Sequence, residues 1–234
     1  MCKYMPTIAD NLHQVYRQIH AIAAQAGRDP SAVQLLAVSK GQPADALRTC
    51  YLEGQRHFGE NYLQEALDKQ QALLDLTDIC WHFIGPIQAN KTRKIAEQFD
   101  WVHSVERIKI ARRLSEQRNP ELEPLNICLQ VNICNENTKS GVRHNELTDL
   151  AREVANLPNL KLRGLMAIPE KVESLDMQRS IFRKMQQTMT ELNQQGLELD
   201  TLSMGMSNDM EAAIAEGATT VRIGTAIFGP RTQN

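Results

Sequence analysis

Gln34-Leu35-Leu36-Ala37-Val38-Ser39-Lys40 decides how the rest of the chain is read. Four apolar residues run straight into a lysine, and a short run that is apolar on both faces suits a central parallel strand covered from both sides. Lys40 then closes the strand at its carboxyl end, where α/β folds place their chemistry. Taken alone, the plainer reading of Lys40 is a strand-end lysine that extends its ammonium to water, because lysine is rarely buried.

Working outward, the same unit recurs. A helix over Thr7–Ala26, with Ile8, Leu12, Val15, Ile19, Ile22 and Ala23 near helical spacing and Gly27 as its stop, precedes the first strand. After Lys40, Pro43 opens a helix ended by Gly54. Strands then follow at His57–Glu60, Trp81–Gly85, Trp101–Ser104, Leu125–Ile133 (the longest), Leu162–Ala167, Leu202–Met204 and Thr220–Ile223. Each strand but the last is followed by a helix. Eight alternating units in 234 residues predict a single (β/α)8 TIM barrel, one α/β domain over residues 1–234. The additional N-terminal helix fills the outer place that the last strand leaves open. An open doubly wound sheet would carry a glycine-rich first turn. Here that turn is Ser39-Lys40-Gly41-Gln42-Pro43, with one glycine.

Bulk properties exclude several classes. A net charge of −2 gives no basis for binding nucleic acid or an anionic membrane surface, and no run of about 18 apolar residues is present to span a bilayer. The five cysteines are scattered and form neither a C-x-x-C pair nor a zinc pattern, which predicts a reduced, cytoplasmic protein with no metal site. No exposed apolar helix face stands out, which points to a monomer.

In a barrel the carboxyl ends of all strands share one mouth. Gathered there are Lys40, Glu60-Asn61, Gly85-Pro86, Ser104, Asn132, Met166, Gly205–Ser207 and Gly224-Thr225. No metal-ligand cluster is among them, and His82, between Trp81 and Phe83, reads as a packed, hydrogen-bonded histidine. Ser207-Asn208-Asp209-Met210-Glu211 starts a helix. Asn208 with Glu211 fits a capping box, while the free N–H groups of the turn fit a phosphate. Gly224-Thr225 adds a further backbone donor and a hydroxyl, and loops after strands seven and eight are a common phosphate site in barrels. Arg222, between Val221 and Ile223, is expected to point inward. A lysine, a phosphate cradle and an inward arginine together point to a phosphate-bearing aldehyde. Pyridoxal 5′-phosphate fits, with Lys40 as the imine-forming amine and Arg222 opposing protonation of the pyridine nitrogen. Lys91, Lys94 and Lys139 are weaker candidates as secondary amines.

These residues also match a family pattern. Leu36-Ala37-Val38-Ser39-Lys40, Phe58-Gly59-Glu60-Asn61-Tyr62, Trp81-His82-Phe83-Ile84-Gly85-Pro86, Lys139-Ser140-Gly141, Arg163-Gly164-Leu165-Met166-Ala167, Ser203-Met204-Gly205-Met206-Ser207 and Val221-Arg222-Ile223-Gly224-Thr225 carry it. Nearly the whole chain resembles the YggS/PROSC group of pyridoxal phosphate homeostasis proteins, similar in fold to the N-terminal barrel of alanine racemase. The resemblance implies cofactor held on Lys40, phosphate contacts from Ser207, Gly224 and Thr225, Arg222 at the ring nitrogen, and Asn61 and Met204 along the ring. It implies a carrier that supplies PLP-requiring apo-enzymes rather than a catalyst. The alternative is an amino-acid racemase of the same barrel type, which needs an opposing acid/base. Of Tyr4, Tyr16, Tyr51 and Tyr62, only Tyr62 lies near a strand end.

Overall fold

The computed structural model describes residues 6–134 and 140–230. Lys139 of the Lys139-Ser140-Gly141 signature and Tyr4 fall outside those residues. Eight parallel strands close on themselves in chain order. They are β1 (Gln34–Val38), β2 (His57–Glu60), β3 (Cys80–Phe83), β4 (Trp101–Val105), β5 (Leu125–Gln130), β6 (Leu160–Met166), β7 (Thr201–Ser203) and β8 (Thr220–Ile223). The barrel closes where β1 lies beside β8, with Leu36 opposite Arg222 and Ala37 opposite Ile223.

The helices are α1 (Ile8–Gln25), α2 (Ala44–Leu52), α3 (Leu63–Ala72), α4 (Thr92–Gln98), α5 (Ile108–Gln117), α6 (His144–Ala155), α7 (Leu175–Gln194), α8 (Met210–Ala215) and α9 (Thr225–Phe228). Thr7 and Asp10 form a reciprocal capping box that starts α1, and its buried stripe is Leu12, Val15, Ile19 and Ala23. As the sequence predicts, α1 takes an outer place beside α2, α8 and α9. Asn11 donates to the Ile227 carbonyl, and Arg28 donates to the carbonyls of Ile214 and Ala218.

Three expectations change. β8 is followed by a short helix of its own, α9. β5 stops at Gln130 because Val131 turns to pair with Val142, so β6 is the longest strand. The Asn208–Glu211 capping box is absent: α8 starts at Met210, and Asp209 instead accepts from the Met206 amide.

Alternation divides the sheet into two faces. One face, with Leu35, Ala37, Phe58, Trp81, Phe83, Val102, Ile127, Leu129, Leu165, Leu202, Val221 and Ile223, packs into the apolar layer under the helices. The other face fills the barrel, and it is unusually polar for an interior that branched apolar residues normally dominate. His82, His103, Ser203 and Arg222 all lie there, each nearly or fully buried.

Candidate functional site

At the carboxyl ends of the strands a cavity is lined by Val38, Lys40, Gln42, Asn61, Ile84, Ile168, Met206, Ser207, Arg222, Gly224, Thr225 and Gly229. Six of the seven residues singled out in the sequence therefore line this one cavity: Lys40, Asn61, Ser207, Arg222, Gly224 and Thr225. The seventh, Met204, is fully buried in the core, and Met206 lines the cavity instead. Two residues of offset matter here, because the chain leaves β7 at Ser203 and turns at Gly205 with a φ of 96°. Strand alternation cannot be carried across that turn.

Lys40 lies two residues beyond β1, half-buried, in a turn closed by the Gln42 amide donating to the Ser39 carbonyl at 3.0 Å. Its position is fixed by a buried ion cluster that the sequence reading did not single out. Lys69 Nζ donates to the Ser39 carbonyl (2.7 Å), to Glu60 Oε1 (2.7 Å) and to Glu65 Oε1 (2.5 Å). Ser39 Oγ donates to Glu60 Oε1 at 2.6 Å, and the Gly41 amide donates to Glu65 Oε1 at 2.5 Å. Both neighbours of Lys40 are thus tied to one lysine–glutamate cluster. Burial raises the Glu60 pKa, and the adjacent Lys69 ammonium pulls it back down. Only the i, i+4 spacing of Glu65 and Lys69 hinted at this pair in the sequence, and that spacing is common on exposed helix faces.

Arg222 points inward, as expected. Its Nη1 donates to the Ser203 carbonyl and hydroxyl (2.5 and 2.9 Å), and its Nη2 donates to the Ala167 carbonyl at 2.8 Å. Burial lowers its pKa to about 10, so it stays cationic at neutral pH. The guanidinium carries five N–H donors, so these contacts fix it without exhausting it. Below it a file of polar side chains crosses the barrel. Ser203 Oγ meets His103 Nδ1 at 2.8 Å, His103 Nε2 meets His82 Nδ1 at 2.9 Å, and His82 Nε2 meets His57 Nδ1 at 3.0 Å. His82 is the packed, hydrogen-bonded histidine that its sequence context suggests. Burial holds His103 neutral, with a pKa lowered to about 3.

Gly224 and Thr225 follow β8 and lie beside the end of β1. A Cβ on Gly224 would lie 2.9 Å from the Val38 carbonyl oxygen, so only glycine lets the two chain ends approach this closely. Gly224 is also the N-cap of α9 and has no capping side chain. Within α9 the Ile227 and Phe228 amides donate to the Gly224 carbonyl, which leaves the Thr225 and Ala226 amides without an intrahelical acceptor; both residues border a recess with Met206 and Ser207. Asn61 presents another opening: its Oδ1 is buried with no partner among the described residues. Beyond Asn61, Ile84 and Ile168, a second recess brings in Pro86, Ser104, Gln130 and Ser140, completing much of the ring of strand ends.

Among the described tyrosines none lines the cavity. Tyr16 donates to Gln55, Tyr51 donates to Asp78, and Tyr62 stands exposed at the N-cap position of α3. Lys94 pairs with Glu97 on the surface.

Residues 11–232 match the family model described as alanine racemase, N-terminal domain. A relative from Pseudomonas aeruginosa named pyridoxal phosphate homeostasis protein is 59% identical over 227 residues, covering 97% of each chain. The chain belongs to the alanine racemase N-terminal domain family, in its pyridoxal phosphate homeostasis branch. A homeostasis-branch relative from Escherichia coli is 52% identical over 229 residues, with 97% of this chain and 98% of the relative covered. Among solved structures, PipY of Synechococcus elongatus with PLP bound is 40% identical and superposes with a TM-score of 0.84, covering 95% of this chain and 100% of PipY. Alanine racemase from Corynebacterium glutamicum, at 18% identity and a TM-score of 0.68, shares the barrel over 61% of its own length. That likeness concerns the fold alone.

Proposed function

We propose that the chain, as one domain, binds pyridoxal 5′-phosphate and serves its homeostasis, holding the cofactor and giving it up to enzymes that need it. The observation that carries this reading is the convergence of Lys40, Arg222 and the Ser207/Gly224/Thr225 donors on one cavity. The residues present fit the group. Backbone amides at the start of α9, with the hydroxyls of Thr225 and Ser207, suit a phosphate. Val38, Ile84, Ile168 and Met206 suit the faces of a flat ring, and the unpartnered Asn61 Oδ1 suits a donor at the ring's polar edge. Bound there, the cofactor supplies a reactive aldehyde and a conjugated ring.

The chain's own residues then divide the work. Lys40 Nζ is the amine that holds the aldehyde carbon covalently, and the Lys69–Glu60–Glu65 cluster keeps its loop in place. Arg222 donates to the ring nitrogen, and its fixed charge opposes a second proton there, which weakens the ring as an electron sink. The absence of a tyrosine on the cavity wall, among the described residues, favours storage over turnover, because a racemase needs two opposed proton-transfer groups. Helix-length apolar spans able to cross a membrane are absent among the described residues. We take the working form to be a cytoplasmic monomer that meets its recipient apo-enzymes in solution.

Incubating the loaded protein separately with L-alanine and D-alanine, followed by chiral analysis, tests the reading. Each enantiomer is expected back unchanged, and an added PLP-requiring apo-enzyme is expected to gain activity. Interconversion of the enantiomers, or failure to take up the cofactor at all, would overturn it.

A further inference from the structure

The amino-terminal end of the barrel, opposite the cavity, carries a cluster that the cofactor site does not use. His57 and Cys80 open β2 and β3 and are register partners. His82 follows Cys80 by two residues and therefore faces the same way, into the barrel. His82 Nε2 lies 3.0 Å from His57 Nδ1 and 3.4 Å from Cys80 Sγ, and the three atoms all fall within 4.8 Å of one another. In a tetrahedral zinc site, bond lengths of about 2.0–2.1 Å to nitrogen and about 2.3 Å to sulfur place two nitrogens about 3.3 Å apart and nitrogen and sulfur about 3.6 Å apart. The two His82 separations need to open by only a few tenths of an ångström to meet those values, and His57 Nδ1 and Cys80 Sγ lie within 4.8 Å of each other.

Its surroundings are those of a supported ligand set. A ligating histidine normally directs its other ring nitrogen at a hydrogen-bond partner that fixes the tautomer. His82 Nδ1 has one in His103 Nε2 at 2.9 Å, and His103 is held in turn by Ser203. The Trp101 ring stacks on the His82 imidazole at 5.5 Å and 12°, which fixes its plane. His57 and Cys80 are only half-buried, so the cluster is open to solvent on that side. Two imidazoles and a thiol select borderline metals and reject magnesium or calcium, which want oxygen.

We propose that His57 Nδ1, Cys80 Sγ and His82 Nε2 form a binding site for one divalent transition-metal ion of the zinc class at the amino-terminal end of the barrel. On binding, the Cys80 S–H bond breaks, its proton passes to solvent, and a metal–thiolate bond forms. His82 keeps its proton on Nδ1, donating to His103, and offers the Nε2 lone pair. The sequence pattern concealed the site because His57 and Cys80 are 23 positions apart (80 − 57) and meet only through strand register.

Cobalt(II) chloride titrated into chelator-stripped, full-length protein, with a phosphine reductant, reads the site directly. Tetrahedral d–d bands with a thiolate-to-cobalt charge-transfer band are expected at one ion per chain, displaced by zinc chloride. Cys80→Ser should abolish the charge-transfer band, His57→Gln should weaken binding at least tenfold, and Cys134→Ser, at an exposed cysteine, should leave the spectrum intact. Far-ultraviolet circular dichroism checks folding; if Cys80→Ser does not fold, the half-buried His57→Gln decides by the same titration. A hydrogen-bonded cluster with no metal affinity would give no tetrahedral spectrum. That result, or a spectrum unchanged in Cys80→Ser or in folded His57→Gln, would overturn the proposal.

Discussion

Ser207 and Thr225 line the same cavity as Lys40, and the proposed function gives each hydroxyl to the cofactor's phosphate. A charge-assisted hydrogen bond contributes roughly 1–3 kcal/mol, so Ser207→Ala with Thr225→Val should weaken cofactor affinity by at least tenfold while leaving the fold intact. Equilibrium titration of visible absorbance measures it, and unchanged affinity would place the phosphate elsewhere. At this scale much of the site was legible in the sequence. Lys40, Asn61, Ser207, Gly224 and Thr225 follow strands of a regular alternation, which a closed barrel gathers at one end, and Arg222 was readable from its inward place within β8. Met204 lies in the core rather than on the cavity wall for an equally physical reason: the positive-φ turn at Gly205 breaks the period-two pattern, and Met206 lines the cavity instead.

Between elements, the link that matters most is α3 to the β1–α2 loop. Lys69, on α3, neutralises Glu60 and grips the Ser39 carbonyl beside Lys40. Removing one partner of a buried pair leaves an uncompensated charge, at a cost of about 3–5 kcal/mol. Lys69→Met should therefore be strongly destabilised and bind cofactor weakly, whereas Glu60→Gln with Lys69→Met should recover stability, as denaturant melts of single and double variants would show. No recovery would mean that the cluster acts through packing rather than charge. This device was not legible, because burial of an i, i+4 pair depends on tertiary context that spacing does not encode. A second link joins α7 to the end of α8. Arg183 and then Arg179 hold the Glu216 carboxyl below its ordinary pKa. A depressed carboxylate pKa gives stability that is present above the unfolded value and lost as pH falls through the folded one. Glu216→Gln should thus cost up to about 1 kcal/mol at neutral pH, a modest figure because the arginines are half exposed, and the gap should close in acid.

The whole molecule divides its barrel by end. The carboxyl ends carry the cavity proposed for the cofactor, the amino ends carry the His57–Cys80–His82 cluster, and the Arg222–Ser203–His103–His82 file joins them. Eight alternating units made the architecture readable in advance. Inside the barrel Arg222 and His82 were readable one by one, but the file that joins them through Ser203 and His103 was not, because it depends on which inward side chains meet across the closed barrel. A ligand that binds only the folded state stabilises it by about 2.7 kcal/mol at one hundred times its dissociation constant. For a domain of this size that corresponds to a rise in melting temperature of about 5–10 °C on adding the cofactor. Lys40→Ala should lose most of the rise, and an equal rise in both proteins would argue against a covalent hold.

Borohydride reduction of the loaded protein, followed by peptide mass mapping, tests the central assignment most directly. The account predicts that the visible band disappears on reduction and that one pyridoxyl-sized adduct is found on Lys40, with none in Lys40→Ala. An adduct on another lysine, or an undiminished band in Lys40→Ala, would contradict it.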